Sequence, residues 1–256
     1  MRIAVLGGGN GAFAAAADFT ETGHEVRLWR THPARLGNTT TTLKDSRGER
    51  PVTPALITTD LAQAVCGADL ILAPAPATTH EALARQLAQH LQDGQVVFLT
   101  PGTLGTVLLA SALQAARPGA RVAFAETGTL PWLARKHGPD TVAITVRARH
   151  LPAGVFPLAL ADHAHAVIAR AFPGITRPCG DALSGALMNA GPIIHPPLIT
   201  MNAGPLEHFD RWDIHKEGTG PATRRVTDAL DAERMAVREA LGYGPPHYPL
   251  ADHYAK

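Results

Sequence analysis

The sequence predicts an α/β fold: a doubly wound parallel sheet that gives way to an all-helical region. Three observations predict it. Short apolar runs alternate with helix-like segments from Ile3 to Val146, the first run ends in a cluster of glycines, and no convincing strand follows Asp181. A chain of 256 residues is long enough for one large domain, or for a medium domain with a smaller one behind it.

The elements follow in order. Ile3-Ala4-Val5-Leu6 is short and wholly apolar, the pattern of a parallel strand covered on both faces. Asn10 to Thr22 is alanine-rich and stops at Gly23, which reads as a helix with a glycine stop. Glu25 to Trp29 is the next strand, so a β-α-β unit is complete before residue 30. Asp60 to Cys66 reads as a helix and Asp69 to Ala73 as a strand. Glu81 to Leu91 reads as a helix with Leu83, Leu87 and Leu91 along one stripe. Val96 to Leu99 is a strand and Gly105 to Ala115 a helix. Arg121 to Ala125 and Thr141 to Val146 are further strands. Strands separated by helices in this way make a parallel, doubly wound sheet. The threonine cluster Thr39 to Thr42 reads as a loop. Thr227 to Leu241 is an amphipathic helix with Leu230, Met235, Val237 and Leu241 among polar residues. The change of texture places a domain boundary near residue 178, with an α/β domain over 1–178 and a helical domain over 179–256.

Composition narrows the functional classes. With 45% hydrophobic and 18% charged residues the chain can build a packed core. A net charge of +1 gives no reason to expect nucleic acid or an anionic membrane surface as the main partner. No apolar run is long enough to span a bilayer, and no signal peptide precedes the first strand, which starts at Met1-Arg2-Ile3. Cys66 and Cys179 are far apart and in no CxxC pattern, which argues against a disulfide framework or a zinc site and suits a reduced, cytoplasmic setting. The 13 histidines are scattered without a metal-ligand spacing, so no metal site is expected.

The first strand runs into Gly7-Gly8-Gly9-Asn10-Gly11-Ala12, which reads as Gly-x-Gly-x-x-Ala, the dinucleotide fingerprint of a Rossmann domain. Gly7 permits the tight turn, Gly9 lets a pyrophosphate approach the backbone, and Ala12 lets helix and strand pack closely. Asn10 and Gly11 open the helix, whose amide ends and dipole face the phosphates. The spacing alone is weak; its place between a strand and a helix, with a second strand on schedule, makes it specific. That second strand ends in Trp29-Arg30, where a carboxylate for the adenosine ribose would ordinarily stand. Arg30 can meet a 2′-phosphate by a charge-assisted contact, which favours NADP. Alternatively Arg30 lies over the adenine and the cofactor is NAD. Pro76, three residues beyond the strand ending at Ala73, is assigned to the same cofactor-binding set.

The most unusual stretch is Leu187-Met188-Asn189-Ala190-Gly191-Pro192-Ile193-Ile194-His195-Pro196-Pro197. A residue before proline is pushed out of helical geometry, so His195 is expected at a helix break, on backbone stiffened from both sides. That is a good mount for a proton donor, although a lone histidine among apolar residues is more often part of a core.

Three segments resemble the opine dehydrogenase family, of the octopine/nopaline dehydrogenase type. They are the Gly-x-Gly-Asn-x-Ala loop, Glu126-Thr127-Gly128-Thr129-Leu130-Pro131-Trp132, and Leu187 to Gly204 with Asn189, His195-Pro196 and Asn202-Ala203-Gly204. Weaker echoes fall at Glu217-Gly218 and at Asp231-Ala232-Glu233-Arg234. The resemblance implies a Rossmann domain followed by a helical substrate domain. It implies NAD(P)H-dependent reductive condensation of the amine of an amino acid with the keto carbon of a 2-oxo acid. It implies His195 as the catalytic acid/base, Glu126, Thr127 and Thr129 near the nicotinamide, and Asn189 and Asn202 around the substrate. Capping is the structural alternative for both asparagines. Carboxylate substrates require cationic clamps, for which Arg135, Lys136, Lys216, Arg224 and Arg225 are candidates.

Two departures from the family's pattern bear on function. His215 stands where a tyrosine is usual, and Gly220 where a threonine is. Members of the family are also considerably longer, with further C-terminal helices that supply an acidic partner for the histidine. The helical domain here is therefore expected to be truncated or naturally shortened, with Asp210 or Asp213 as the substitute partner. Its exposed apolar helix faces favour a homodimer. Two alternatives stand beside this reading. One is another Rossmann-plus-helical dehydrogenase, related to ketopantoate reductase or glycerol-3-phosphate dehydrogenase; such enzymes depend on a lysine in the helical domain, where Lys216 sits in no comparable motif. The other is a non-catalytic NADP(H)-binding module.

Overall fold

The computed structural model describes residues 1–31 and 40–249. The chain divides into two compact units, Met1–Ala186 and Leu187–Lys256.

The first unit begins with β1 (Arg2–Leu6), α1 (Asn10–Glu21), β2 (Glu25–Trp29), β3 (Thr41–Asp45), β4 (Gly48–Val52), β5 (Leu56–Thr58), α2 (Leu61–Val65) and β6 (Leu70–Ala73). It continues with α3 (His80–Leu87), β7 (Val96–Leu99), α4 (Gly105–Ala116), β8 (Ala123–Thr127), β9 (Trp132–His137) and β10 (Thr141–Arg147). It closes with β11 (Leu151–Phe156), α5 (Ala161–Ala171), β12 (Thr176–Asp181) and α6 (Ala182–Ala186).

Among the described residues the main sheet has eight strands in the order β12-β11-β8-β7-β6-β1-β2-β5. From β8 to β5 all neighbours run parallel, so the doubly wound core is as the alternation predicts. β11 then pairs antiparallel with β8, and β12 runs parallel to β11. The central strands read as unbroken apolar runs because both faces are covered. Ile3 and Val5 of β1, with Leu70, Leu72, Val96 and Phe98, belong to one core cluster. Ala4, Leu6, Ile71, Ala73, Val97 and Leu99 belong to the other, on the opposite face.

Two sequence expectations are corrected in this unit. Thr141 to Val146 is a strand, but it lies in a second sheet of order β4-β3-β10-β9 rather than in the doubly wound one. Of the threonine cluster expected as a loop, Thr39 lies outside the described residues, whereas Thr41 and Thr42 open β3 of this second sheet. Residues that pair across nearly a hundred positions leave no local signal: Thr42 lies beside Thr141.

α1 touches β1 and β2 on one side and β3, β9 and β10 on the other. Its small side chains make that possible: Ala12, Ala14, Ala15, Ala16 and Ala17 are all buried. Charged groups fasten the second sheet to it. Asp18 accepts from Trp132 Nε1 at 2.8 Å and from Arg147 at 2.7 and 3.0 Å. Arg147 also reaches Asp45, and Arg50 bridges Asp45 and Glu21.

The second unit contains α7 (Gly191–Met201), α8 (Ala203–His208) and α9 (Pro221–Ala240), with α7 packed on α9. The amphipathic helix expected over Thr227 to Leu241 is the C-terminal part of α9. The helix break expected at His195 does not occur: α7 runs on through Pro196 and Pro197. The two prolines leave the carbonyls of Pro192 and Ile193 without an amide four residues on, a loss a helix tolerates near its start, where Pro192 also stands. Two buried arginines hold the unit's last described segment. Arg234 pairs with Asp231 at 2.8 Å and donates to the carbonyls of His247 and Tyr248, and Arg238 stacks over Tyr243.

Candidate functional site

β1 and β6 are neighbours, with α1 leading away from β1 to β2 on the other side. This is the point where the strand order reverses, the place where α/β sheets bind ligands. At the end of β1, Gly7 has φ +129°, a conformation glycine adopts readily, and its amide donates to the Trp29 carbonyl at 2.9 Å. A Cβ on Gly7 would lie 3.5 Å from that of Ala12, so strand and helix are as close as the fingerprint demands. Gly9 caps α1 with extended backbone, no side chain caps the helix, and no acidic residue stands in the first turn. The first-turn amides are thus left for an outside acceptor. A Cβ built on Gly9 would meet nothing within 4 Å, whereas one on Gly11 would come within 3.0 Å of Pro74 Cβ. Gly11 serves packing; Gly9 keeps space open. That open cradle of amide donors fits a pyrophosphate.

The wall beyond β6 is fixed in turn. Pro76 is exposed at the start of a short 3-10 turn. The Ala75 carbonyl lies 3.1 Å from Nε2 of the buried His80, whose pKa is pushed down by burial. Arg30 is buried at the end of β2, its guanidinium over the Phe13 ring at 5.0 Å, and Gly8 leaves room beside it. Lys136 also lies against Phe13, with Nζ 3.7 Å from the ring centroid and its backbone N–H donating to Asn10 Oδ1 at 2.9 Å. Of the five candidate carboxylate clamps, Lys136 is therefore at the glycine loop. Arg135, Lys216, Arg224 and Arg225 are exposed.

Glu126 and Thr127 end β8 and are wholly buried. The Glu126 carboxylate accepts from the Leu104 and Thr106 amides at 2.9 and 3.2 Å and from the Thr106 hydroxyl at 2.6 Å, so it caps the start of α4. Burial pushes its pKa up against those three hydrogen bonds, which pull it down. The Thr127 hydroxyl has no hydrogen-bond partner among the described residues.

In the second unit His195 is exposed on α7. A Cβ on Gly191, one helical turn earlier, would be 3.7 Å from its Nδ1, so glycine leaves that side of the ring clear. Asn189 Oδ1 accepts from the Gly191 amide at 2.8 Å, closing a turn just ahead of α7, whose N-cap is Ala190. Asn202 is buried, donating to the Leu198 and Gly218 carbonyls and accepting from Trp212 Nε1 at 2.9 Å. A side chain on Gly218 would strike it at 2.5 Å. Asp213 Oδ1 accepts from the His215 and Lys216 amides, so it closes its own turn. Among the described residues no cluster of His, Cys, Asp and Glu could hold a metal, and no helix is long and apolar enough to cross a membrane.

A doubly wound unit with an open anion cradle, followed by a helical unit, is the plan of a two-unit dinucleotide-binding protein. Comparison with known proteins makes the class narrower. Residues 178–256 match the alpha-helical domain of NAD/NADP octopine/nopaline dehydrogenases, and residues 2–113 match the N-terminus of NAD-dependent glycerol-3-phosphate dehydrogenases. An opine dehydrogenase of Arthrobacter sp. (strain 1C) is 28% identical over 95% of this chain and 68% of its own length. A vitopine synthase of Allorhizobium ampelinum is 26% identical over 94% of this chain and 68% of its own. The structure of an octopine dehydrogenase with NADH and pyruvate superposes with a TM-score of 0.74 at 21% identity, over 99% of this chain and 70% of that one. The helical unit thus matches the octopine/nopaline dehydrogenase domain, and nearly the whole chain is similar to opine dehydrogenases.

Proposed function

We propose that the protein joins the amine of an amino acid to the keto carbon of a 2-oxo acid in an NADPH-dependent reduction, with His195 as general acid/base. The observation that carries this reading is His195 itself, exposed on a helix of the unit that matches the octopine/nopaline dehydrogenase helical domain.

The amine adds to the keto carbon and the keto oxygen leaves as water, so a proton must be delivered to that oxygen. His195 is the donor, its ring held by α7 and unobstructed at Gly191. The nicotinamide, when bound, would supply the hydride that reduces the resulting imine, protonated on nitrogen, to a secondary amine. Gly7, Gly9, Asn10, Gly11 and Ala12 hold the pyrophosphate through the first-turn amides. Arg30 holds the adenosine phosphate, which selects NADP over NAD. Pro76, Glu126 and Thr127 shape the nicotinamide side, Glu126 by fixing the start of α4. Asn189 and Asn202 shape the substrate side through the backbone that they hold around His195. Residues 1–178 thereby carry the cofactor and 179–256 the substrate.

The test follows NADPH absorbance with pooled amino acids and 2-oxo acids, for the unsubstituted protein and His195→Ala. Oxidation should need both substrates and fall about 10²- to 10⁴-fold in the variant, the usual share of a general acid. NADPH binding with no oxidation by any pair would overturn the catalytic reading and leave a nucleotide-binding module.

A further inference from the structure

We propose that His80 is a positioning residue for the nicotinamide half of the cofactor. It fixes the loop after β6 through the Ala75 carbonyl while its ring is braced on Gly105 at the start of α4. The proposal rests on the reading that the first unit binds NAD(P)H with the nicotinamide beyond β6.

β6 and β7 are parallel neighbours that end level with each other, Ala73 beside Leu99. The chain leaves β6 through Pro74-Ala75-Pro76 and leaves β7 toward α4. Both segments lie on the side of β1 away from β2. The end of β2 reads the adenosine ribose and the glycine loop takes the pyrophosphate, so the nicotinamide half falls to the ends of β6 and β7. Pro74 already abuts the cradle, since a Cβ built on Gly11 would lie 3.0 Å from its Cβ.

Pro74 and Pro76 have no N–H to donate, and carbonyls hold this loop instead. That of Pro76 accepts from the Thr79 amide at 2.9 Å and the Thr79 hydroxyl at 2.7 Å. That of Ala75 lies 3.1 Å from His80 Nε2. A carbonyl can only accept, so Nε2 carries a proton. The other side of the ring meets α4. A Cβ on Gly105 would stand 2.3 Å from His80 Nδ1, so only glycine admits the ring there. The start of α4 is itself fixed, because Glu126 accepts from the Leu104 and Thr106 amides on either side of Gly105. His80 thus passes the position of α4 on to the loop after β6.

Nδ1 is buried and has no hydrogen-bond partner among the described residues. Burying such an atom costs free energy, and an aliphatic side chain would fill the same gap without that cost. The Nε2–H is therefore what the position requires. Hydride transfer needs its reacting atoms about 3–3.5 Å apart, so the wall beside the nicotinamide must not drift.

The experiment compares the full chain with His80→Gln, whose amide nitrogen reaches the place of Nε2, and His80→Asn, whose amide stops at the place of Nδ1. Calorimetry gives the affinities for NADPH, NADH, 2′,5′-ADP and 5′-AMP, and the emission of bound NADPH reports the surroundings of its nicotinamide. Loss of one neutral hydrogen bond in His80→Asn weakens NADPH and NADH about 3- to 10-fold and changes the emission. The two adenosine fragments stay within about twofold, and His80→Gln restores the dinucleotide affinities and the emission. Fragments weakened as much as the dinucleotides, no change in any ligand, or a His80→Gln as weak as His80→Asn would each overturn the assignment. A His80→Asn chain that does not fold makes the residue a structural one and overturns it as well. An unsubstituted protein that binds neither NADPH nor NADH overturns the cofactor reading itself.

Discussion

Gly9→Ala should separate cofactor binding from folding. Gly9 has φ −85° and ψ −174°, which any residue adopts, and the added methyl would meet no atom within 4 Å. Two small effects on stability oppose each other. Alanine reduces the freedom of the unfolded chain, worth about 0.4–1 kcal/mol, and is a poorer helix N-cap by a similar amount. The urea midpoint should therefore move by less than about 1 kcal/mol equivalent. Binding is another matter, because the methyl fills the space the pyrophosphate needs. Displacing the phosphate from one first-turn amide forfeits a charge-assisted hydrogen bond of about 1.5–3 kcal/mol, or roughly 10- to 150-fold in affinity. NADPH titration by tryptophan fluorescence, beside urea unfolding of the same samples, reads both. A folded variant with unchanged affinity would refute the placement of the pyrophosphate. A variant destabilised by more than about 2 kcal/mol would refute the openness of the cradle.

Two further predictions concern stability. Phe19→Ala removes a buried ring packed edge-on against Trp132 and Phe172, with centroids 5.5 and 5.2 Å away, and should cost about 4 kcal/mol in urea unfolding; a loss below about 2 kcal/mol would count against a tightly packed cluster. Asp45, hydrogen-bonded first to Arg50 and also to Arg47 and Arg147, is held far below its ordinary value of 3.8. A depressed carboxylate stabilises the fold fully above that value and progressively less as pH falls below it, so the thermal midpoints of the unsubstituted protein and Asp45→Asn should converge between about pH 5 and pH 2. A gap that stays constant across that range would refute the network.

What was legible in the sequence was local. β1, β6 and β7 announce themselves as apolar runs because both faces are buried, and the glycine loop carries its meaning in six consecutive residues. Apart from β10, the second sheet was illegible for the opposite reason. Gly48-Glu49-Arg50-Pro51-Val52 is mostly polar and contains a proline, which an edge strand tolerates and a sequence pattern penalises. β12 at the far edge carries Pro178 and Gly180 and is hidden in the same way. In the site, Arg30 was placed by adjacency to its strand. Lys136 was named among the candidate clamps, but its place at the glycine loop was not legible, because its neighbour Asn10 lies 126 positions away. His80 and Phe13 carried no signal, since each acts only by what folding brings against it. His195 was singled out by the prolines that follow it, and the same prolines suggested a break that α7 does not make.

The alanine run of α1 has a consequence for how this protein can change. A helix gripped between two sheets has no idle face on which substitutions accumulate silently. Any side chain larger than alanine at positions 14 to 17 must push one sheet away from the other, and β9 moves with its sheet. Because that strand also holds the Lys136 amide on Asn10 of the glycine loop, drift in the packing of α1 reaches that loop as well. Substitutions in the helix core should accordingly be felt at the glycine loop, at positions that lie outside the loop itself.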